Sequence, residues 1–331
     1  GLDLNLLDYR MSITADYYVS ESGGLLVQAP LPWSLGSGTA PYVNAGTIRN
    51  SGFELGTSYR LASGDFELTT SANLTTIKNE VISLGNNAQP IFAGSWGVTR
   101  TAVGDPLGAF YVLQTDGLFQ SEADVLAHTT TLPDGNTVVI QPNARPGDIR
   151  YRDLSGPDDV PDGVINDFDR YVAGSAFPDV QGGVFFDGRY RSFDFSVGLR
   201  YSVGAEVFNG ARFWTDRLDD NANYRAGLEP WTPENPDTDT PRAVFGAEGA
   251  MNANPVTDRW IEDGSYLRLQ NVEFGYRLPA GFSQRLGLAE GGLRLYVNLQ
   301  NLYTFTGYSG WDPENIGTGV LGRGIDDAQI F

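Results

Sequence analysis

One acidic stretch of the sequence combines residue types and a spacing that could bind a metal ion. It runs from Asp153 to Asp169 and reads "DLSGPDDVPDGVINDFD". Its two ends fit the pattern D-x-[DN]-x-D-G-x-I-x-x-x-D of a calcium-binding loop, with "PDDVP" inserted in the middle. Calcium prefers six to eight hard oxygen ligands, such as carboxylates and carbonyls. The alignment therefore predicts a turn at Gly163 and the ligands Asp153, Ser155, Asp162, the Val164 carbonyl, Asn166 and Asp169.

The same stretch has a second interpretation as a loop without metal. Asp and Asn side chains often accept hydrogen bonds from nearby backbone N–H groups and so cap turns. Ser155 stands where the calcium pattern has Asp or Asn, and the insertion lengthens the loop. Both features weaken the metal interpretation, so calcium binding and turn capping both stay open at this point.

The tryptophans form the second group of candidate residues. Indole rings could stack on sugars, pack against a protein that covers the site, or line the membrane interface. Trp96, Trp214 and Trp231 lie deep in long connections, and we predict that these three contact a substrate or partner. All six tryptophans lie outside predicted strand centres: Trp33, Trp96, Trp214, Trp231, Trp260 and Trp311.

Composition argues against several classes of function. The chain has no Cys and one His, His128, so thiolate chemistry and His-based zinc sites are not expected. Its net charge of −19 is expected to repel nucleic acid. The Gly-rich segments lack the strand and helix that a phosphate-binding loop needs, so no enzyme activity is predicted. We also expect neither a signal peptide nor a membrane helix in this sequence.

Strict alternation of apolar and polar residues predicts the elements that position these groups. The alternating segments are about ten residues or longer, which suits strands that cross a bilayer at a tilt. A change of phase between Leu269 and Val272 predicts a β-bulge. The predicted strands cover residues 10–20, 48–61, 66–79, 180–190, 193–203, 265–278 and 291–302.

The two faces of these strands differ in polarity. Charges in the middle of strands suit a wet lumen, although a soluble sandwich with one solvated face would alternate in the same way. Short and long connections follow each other in turn, which favours an antiparallel transmembrane β-barrel. We predict that Met11, Phe53, Phe66, Phe195 and Leu295 face lipid. We predict that Glu54, Glu67, Asp194 and Arg294 face the lumen.

Several long segments, in order along the chain, resemble one known family. They are "NAGTIRNSGFEL" (44–55), "GDPLGAFYVLQTDGLF" (104–119), "PGDIRYRDLSG" with "DGVINDFDR" (within 146–170), "DRWIEDGSYLRLQNVEFGYRLP" (258–279) and "LYVNLQNLYTFTGYSGWDPE" (295–314). Together they resemble the C-terminal half of SusC/RagA-type TonB-linked outer-membrane proteins.

The resemblance implies an all-β fold, namely the C-terminal part of a 22-stranded barrel in the outer membrane of a Gram-negative bacterium. It implies import of oligosaccharides or peptides, with a SusD-like surface lipoprotein as cap and the TonB complex as power source. Residues 1–331 are then expected to be a partial barrel in outer-membrane lipid, with the plug domain, the TonB-contacting segment, the first barrel half and the last strand absent. Residues 79–180, which include the acidic stretch, and residues 204–264 are expected to be long extracellular loops.

Three functions follow from these expectations. The first is part of a TonB-dependent importer for large nutrients, and the second is a non-transporting structural or adaptor component of a larger surface assembly. The third is a soluble carbohydrate-binding β protein. Under either membrane interpretation, about seven strands cannot close a wide barrel, so the first and last strands should pair with strands outside this sequence.

Overall fold

The computed structural model describes residues 1–24, 26–28, 42–44, 46–84, 89–221, 223–285, 287–288, 293–314, 317 and 319–327. In chain order, its strands up to the first long connection are β1 (Leu2–Leu6), β2 (Met11–Gly23), β3 (Leu26–Gln28), β4 (Tyr42–Asn44), β5 (Thr47–Ser63), β6 (Phe66–Thr76) and β7 (Lys78–Ser83). The first long connection holds β8 (Ile91–Ala93), β9 (Thr99–Thr101), β10 (Ala109–Leu113), β11 (Thr115–Leu118), β12 (Thr129–Thr131), β13 (Thr137–Val139), β14 (Ile149–Tyr151) and β15 (Arg170–Gly174). The remaining strands are β16 (Val180–Tyr190), β17 (Phe193–Val203), β18 (Glu206–Asn209), β19 (Ile261–Asp263), β20 (Tyr266–Arg277), β21 (Arg294–Thr306) and β22 (Ile325–Asp326).

Helices are few and short. They are α1 (Glu122–Ala127), α2 (Gly210–Asp216) and α3 (Ala280–Arg285), with 3-10 turns at Ser95–Gly97, Asp167–Asp169, Gly246–Gly249 and Asp258–Trp260. Within the part of the chain that the structure describes, no helix is both long and apolar enough to cross a membrane.

One antiparallel sheet contains all seven predicted strands. Its order is β1-β2-β5-β6-β16-β17-β20-β21, and β7 also pairs with β5. Strands that follow each other among the predicted seven are neighbours in the sheet, so the predicted sequential pairing is confirmed. The strand β1 was not predicted. It is five residues long and turns into β2 through Leu7, Asp8 and Tyr9, which adopt positive φ angles without the usual glycine signal.

The predicted strand 66–79 is two strands in the structure. The backbone leaves the β5–β6 ladder at Ile77, whose N–H donates to the Asp179 carbonyl at 3.1 Å. At Gly52, β5 changes partner from β7 to β6. A Cβ at Gly52 would lie 1.9 Å from the Thr76 carbonyl oxygen, so only glycine allows this close approach.

The predicted bulge lies in β20. Against β21, Gln270 lies opposite two residues, Asn301 and Leu302, so in that ladder the extra residue is on β21. Against β17, the adjacent Gly198 and Leu199 pair with Asn271 and Leu269, so there the extra residue is Gln270. This residue explains the change of phase in the sequence, because one inserted position exchanges the two faces of a strand.

The two faces of the sheet have the predicted polarity. The ladders place the five apolar residues Met11, Phe53, Phe66, Phe195 and Leu295 on one face. The four charged residues Glu54, Glu67, Asp194 and Arg294 lie on the opposite face. On the apolar face, Phe53 and Leu295 are 41% and 60% exposed, as expected of side chains that contact lipid rather than a protein core.

Most of the hydrophobic core lies outside the long strands of this sheet. Trp260, Tyr151, Phe110, Phe119 and Phe208, which are among the largest fully buried side chains, all belong to the long connections. We define the loop module as residues 79–179, 205–263 and 307–327, where described. Both predicted long loops are therefore folded parts of one module, whose pieces are joined by bonds such as that from Leu113 N to Val256 O at 3.0 Å.

On the charged face, three strands are tied together by one arginine. Arg294 on β21 donates to the Asp194 carboxylate on β17, with Nε to Oδ1 at 3.1 Å, and also to Glu273 Oε1 on β20 at 2.6 Å. Asn298 Nδ2 donates to the other oxygen of Glu273 at 2.8 Å. Arg294 thus neutralises two carboxylates that would otherwise repel each other on the charged face of the sheet.

Replacing this arginine should destabilise the sheet. In Arg294→Ala, Asp194 and Glu273 lose their shared cation, so we expect the complete polypeptide to lose its heat-resistant band in gel electrophoresis at a temperature a few degrees lower. Arg189→Ala, on the same charged face and opposite Asp194 in the β16–β17 ladder, is the matched control and should change this temperature less. Equal shifts for the two variants would show that Arg294 has no special structural role.

Candidate site on the loop module

In the acidic stretch, the carboxylate of Asp169 organises the backbone. Its side chain is buried, Oδ1 accepts from Leu154 N at 2.8 Å and from Ser155 N at 3.1 Å, and Oδ2 accepts from Asn166 N at 2.8 Å. Three backbone N–H groups thus converge on one carboxylate. This arrangement closes the two ends of the stretch on each other.

Asp153 does the same for the turn in the middle of the stretch. Its Oδ2 accepts from Gly163 N at 2.8 Å, and its Oδ1 accepts from Asp162 N at 3.3 Å. Gly163 has φ 82°, and a Cβ there would lie 2.5 Å from Val138, so the predicted role of this glycine in the turn is confirmed. Burial, and next the nearby Asp169 carboxylate, raise the pKa of Asp153.

The other predicted calcium ligands serve the local backbone. Asp162 Oδ1 accepts from Val164 N at 2.9 Å, the Val164 carbonyl accepts from Asn166 Nδ2 at 3.0 Å, and Asn166 Oδ1 accepts from Phe168 N at 2.8 Å. The hydroxyl of Ser155 lies 3.5 Å from the next carbonyl. Across the described residues, no group of three or more His, Asp or Glu could hold a metal ion. Calcium binding therefore stays a prediction. To coordinate the ion, these oxygens would have to give up their present hydrogen bonds within the loop.

Two of the predicted tryptophans lie together, although they are 118 positions apart. Trp96 contacts Phe213 edge-on, with ring centroids 4.9 Å apart, and its centroid lies 6.0 Å from that of Trp214. Each of the two indoles is 39% exposed. We name Trp96, Phe213 and Trp214 the aromatic shelf. Its two partly exposed indoles cover Phe213, which belongs to the buried cluster with Phe208 and Trp260.

The backbone that presents Trp96 is strained. Trp96 has φ 55°, a left-handed conformation that is unfavourable for a bulky residue, between Gly94 and Gly97, which also have positive φ. A Cβ at Gly94 would lie 2.3 Å from Ile325, so the turn packs tightly against β22. Strain of this kind is stored where surrounding structure holds a side chain in a set position.

A cation lies beside the aromatic shelf. The guanidinium of Arg217 lies 5.3 Å from the ring centroids of both Phe213 and Trp214. Its Nε donates to Asp219 Oδ1 at 2.8 Å, and this hydrogen bond raises the pKa of Arg217 further. The shelf therefore offers two apolar faces next to a fixed, charge-paired guanidinium.

Trp231 does not join the shelf. It packs against the buried cluster of Leu113, Leu118, Ile149 and Tyr151, and its Nε1 donates to Gln120 Oε1 at 3.0 Å. It thereby joins the second long connection to the first, and its predicted contact with a substrate or partner stays a prediction.

Sequence patterns gave no sign of the charged cluster beside α2. The buried Asp216 accepts from Arg225 Nε at 2.9 Å and from Arg212 Nε at 3.3 Å, and Arg212 Nη1 donates to Glu262 Oε1 at 3.1 Å. Burial disfavours the charged forms of Asp216 and Glu262, but the hydrogen bonds that they accept outweigh it and lower the pKa of both. In an acidic chain these residues have no distinctive spacing, so only the fold reveals the cluster.

An acidic cavity of about 600 Å³ separates the module from the ends of β17 and β20. Asp258 accepts from Tyr171 Oη at 3.1 Å and from Thr115 Oγ1 at 2.6 Å. Burial, and next the Asp258 carboxylate, raise the pKa of Tyr171 to about 12, so the phenol stays protonated at neutral pH. Burial also raises the pKa of Glu206 in the same wall.

Comparisons with known proteins find long matches to larger proteins. TonB-dependent receptor P3 of Formosa agariphila is 33% identical over 322 residues, which cover 95% of this chain and 30% of the receptor. TonB-dependent receptor SusC of Bacteroides thetaiotaomicron is 25% identical over 342 residues, which cover 100% of this chain and 30% of SusC. The chain thus spans about a third of the length of these relatives. No family model matches it.

Solved structures agree on the fold. The RagAB peptide transporter superposes with a TM-score of 0.72 at 21% identity, covering 96% of this chain and 32% of that chain. The RagAB peptide importer in its open-open state gives a TM-score of 0.67, covering 96% of this chain and 31% of the other. The large sheet therefore has the fold of part of a transporter barrel, and it fits the C-terminal part of one.

The role of Asp169 can be tested directly. Asp169→Ala should leave the N–H groups of Leu154, Ser155 and Asn166 without their charged acceptor, and each such hydrogen bond contributes about 1.5–3 kcal/mol. We expect these amides to exchange hydrogen at least about 5–30-fold faster, the factor for 1–2 kcal/mol. The exposed Asp158→Ala in the same stretch is the control and should leave exchange unchanged.

Calcium is tested by titration calorimetry on the complete polypeptide. If the predicted ligand set binds the ion, wild type should release heat that Asp153→Asn abolishes, and calcium should slow amide exchange in residues 153–169 alone. Identical traces with calcium and with chelator would reduce the stretch to a capped turn.

Proposed function

The chain is of the SusC/RagA type of TonB-dependent outer-membrane protein, and from this premise we propose that it forms wall and surface parts of a nutrient importer. The importer takes large nutrients, oligosaccharides or peptides, across the outer membrane of a Gram-negative bacterium. It works with a SusD-like surface lipoprotein, and it draws energy from the TonB complex through parts of the polypeptide outside this sequence.

The observation that carries this proposal is the difference in structure between the sheet and the loop module. The sheet has one apolar and one charged face, as a wall between lipid and water requires. The loop module has its own well-packed core. It lies at those ends of the strands that the long connections link. A wall alone would serve a structural component, whereas a rigid module with half-exposed aromatic rings supports the binding of a ligand.

The aromatic shelf is the proposed contact for the substrate. Rings of Trp combine a large apolar face with a donor N–H group, so they bind sugar rings and peptide side chains with little loss of conformational entropy. Trp96 and Trp214 are held by their neighbours and still expose 39% of their surface. The nearby Arg217 can donate further hydrogen bonds to a ligand, because a guanidinium carries five N–H groups.

Loss of the shelf should weaken uptake without unfolding the protein. In the double variant Trp96→Ala/Trp214→Ala we expect at least a roughly tenfold loss of substrate affinity, as when a central aromatic contact is removed. Affinity is measured on the complete polypeptide in detergent, and uptake is measured as growth on the same oligosaccharide or peptide as sole carbon source. The exposed Tyr224→Ala, in the same long connection as Trp214, is the matched control.

The two membrane functions give different results in this experiment. An importer loses growth when the gene or the TonB complex is removed, and the shelf variant should grow more slowly than the Tyr224→Ala control. If neither deletion affects growth on any oligosaccharide or peptide, the import proposal is wrong and the adaptor role remains.

A further inference from the structure

The side chain of Trp311 is almost fully exposed, yet its backbone is firmly held. The indole is 97% exposed. Two residues before Trp311, Ser309 donates to the Glu262 carboxylate twice, from N at 2.8 Å and from Oγ at 2.8 Å. A Cβ at Gly310 would lie 2.4 Å from the Tyr308 hydroxyl, so the chain passes Tyr308 in a turn that only glycine fits.

Tyr308 is itself a buried anchor. Its hydroxyl donates to Asp326 Oδ2 at 2.6 Å, and both residues are nearly inaccessible to solvent. Burial, and next the bond to Asp326, raise the pKa of Tyr308, so the hydroxyl keeps its proton and the bond persists at physiological pH.

The residues after Trp311 are held by charge. Arg268 Nη2 on β20 donates to Asp312 Oδ1 at 2.6 Å, and its other terminal nitrogen binds Glu314. Glu314 also pairs with Arg200 on β17 at 2.9 Å. Trp311 is therefore fixed on both sides, so a ligand that contacts it need not order a flexible loop.

A cavity of about 330 Å³ with a mixed polar and apolar lining opens beside the indole. This volume lies at the small end of the range for ligand pockets, about 300–1,000 Å³, so it suits one ring-sized unit. The cavity is lined by Asn209, Arg212, Thr215, Arg225, Ser309 and Trp311.

The charges at this cavity balance each other. Arg225 binds Asp216 through Nε and Nη2, and Arg212 binds Asp216 and Glu262. Two guanidiniums thus face two carboxylates, and an anionic ligand would have to compete for cations that are already paired. Each guanidinium has five N–H groups, so donors remain for neutral oxygen acceptors.

We propose that Trp311 and this cavity bind one neutral sugar ring of an oligosaccharide. The apolar face of the ring stacks on the indole, while its hydroxyl groups bond to Arg225 and Thr215, which line the cavity. The inference rests on the proposed import function and narrows its substrate class to glycans at this site. It also adds a binding position separate from the aromatic shelf.

The test uses the complete polypeptide in detergent and a printed array of neutral oligosaccharides, followed by calorimetry with any glycan that binds. Trp311→Ala should lower the affinity for that glycan at least tenfold, and Trp311→Phe, which keeps an aromatic face, should lower it less. Tyr224→Ala is the control for a general effect of removing an exposed aromatic residue.

Three outcomes would overturn the inference. The first is that wild type binds peptides and no neutral glycan on the array, and the second is that Trp311→Ala binds the glycan as wild type does. The variant could also lose thermal stability while its folded fraction keeps full affinity, which would show that Trp311 packs against polypeptide outside this sequence. Uptake is scored separately, so an importer that fails the glycan test keeps the proposed function and loses only this site.

Discussion

The constraint on which the rest of the structure depends is that backbone N–H and C=O groups in lipid must be paired within the protein. The large sheet meets it through uninterrupted antiparallel ladders, such as the 13 residue pairs between β2 and β5. Because each strand must pair along its length, side chains alternate strictly between lipid and lumen. Irregular backbone and glycine-rich turns are consequently moved to the ends of the strands, where the loop module lies.

Ion pairs of arginine join the large sheet to the loop module and join the pieces of the module to each other. The chain is strongly acidic, with 22 Lys and Arg against 41 Asp and Glu, so unpaired carboxylates are abundant and each cation can bind several. Arg268 and Arg200 connect the wall to the segment after β21, and Arg242 connects the two long connections through Asp148 at 2.6 Å. Bidentate guanidiniums suit this task better than lysine, because they fix orientation as well as charge.

The sequence predicted the strands, whose pattern repeats along the chain, but not the contacts between residues that are distant in sequence. Period-two alternation predicted the seven strands and a bulge between Leu269 and Val272, because the polarity of each residue in a strand indicates which face it lies on. The short β1 and the break at Ile77 were not predicted, because neither changes the alternation of apolar and polar residues. Among the tryptophans, the pairing of Trp96 with Trp214 and the anchoring of Trp231 depend on contacts across more than 100 residues, which no local pattern encodes.

The placement of the aromatic residues follows from the same constraint. An exposed indole is useful to a ligand only if its backbone is already ordered, because ordering a loop on binding costs affinity. In the wall, order comes from the ladder, but side chains there must face lipid or lumen. The module instead gains order from its own core and from polar anchors such as the buried Tyr308 and the partly buried Glu262. Trp96, Trp214 and Trp311 can therefore be both rigid and exposed, a combination that the wall cannot provide on its lipid face.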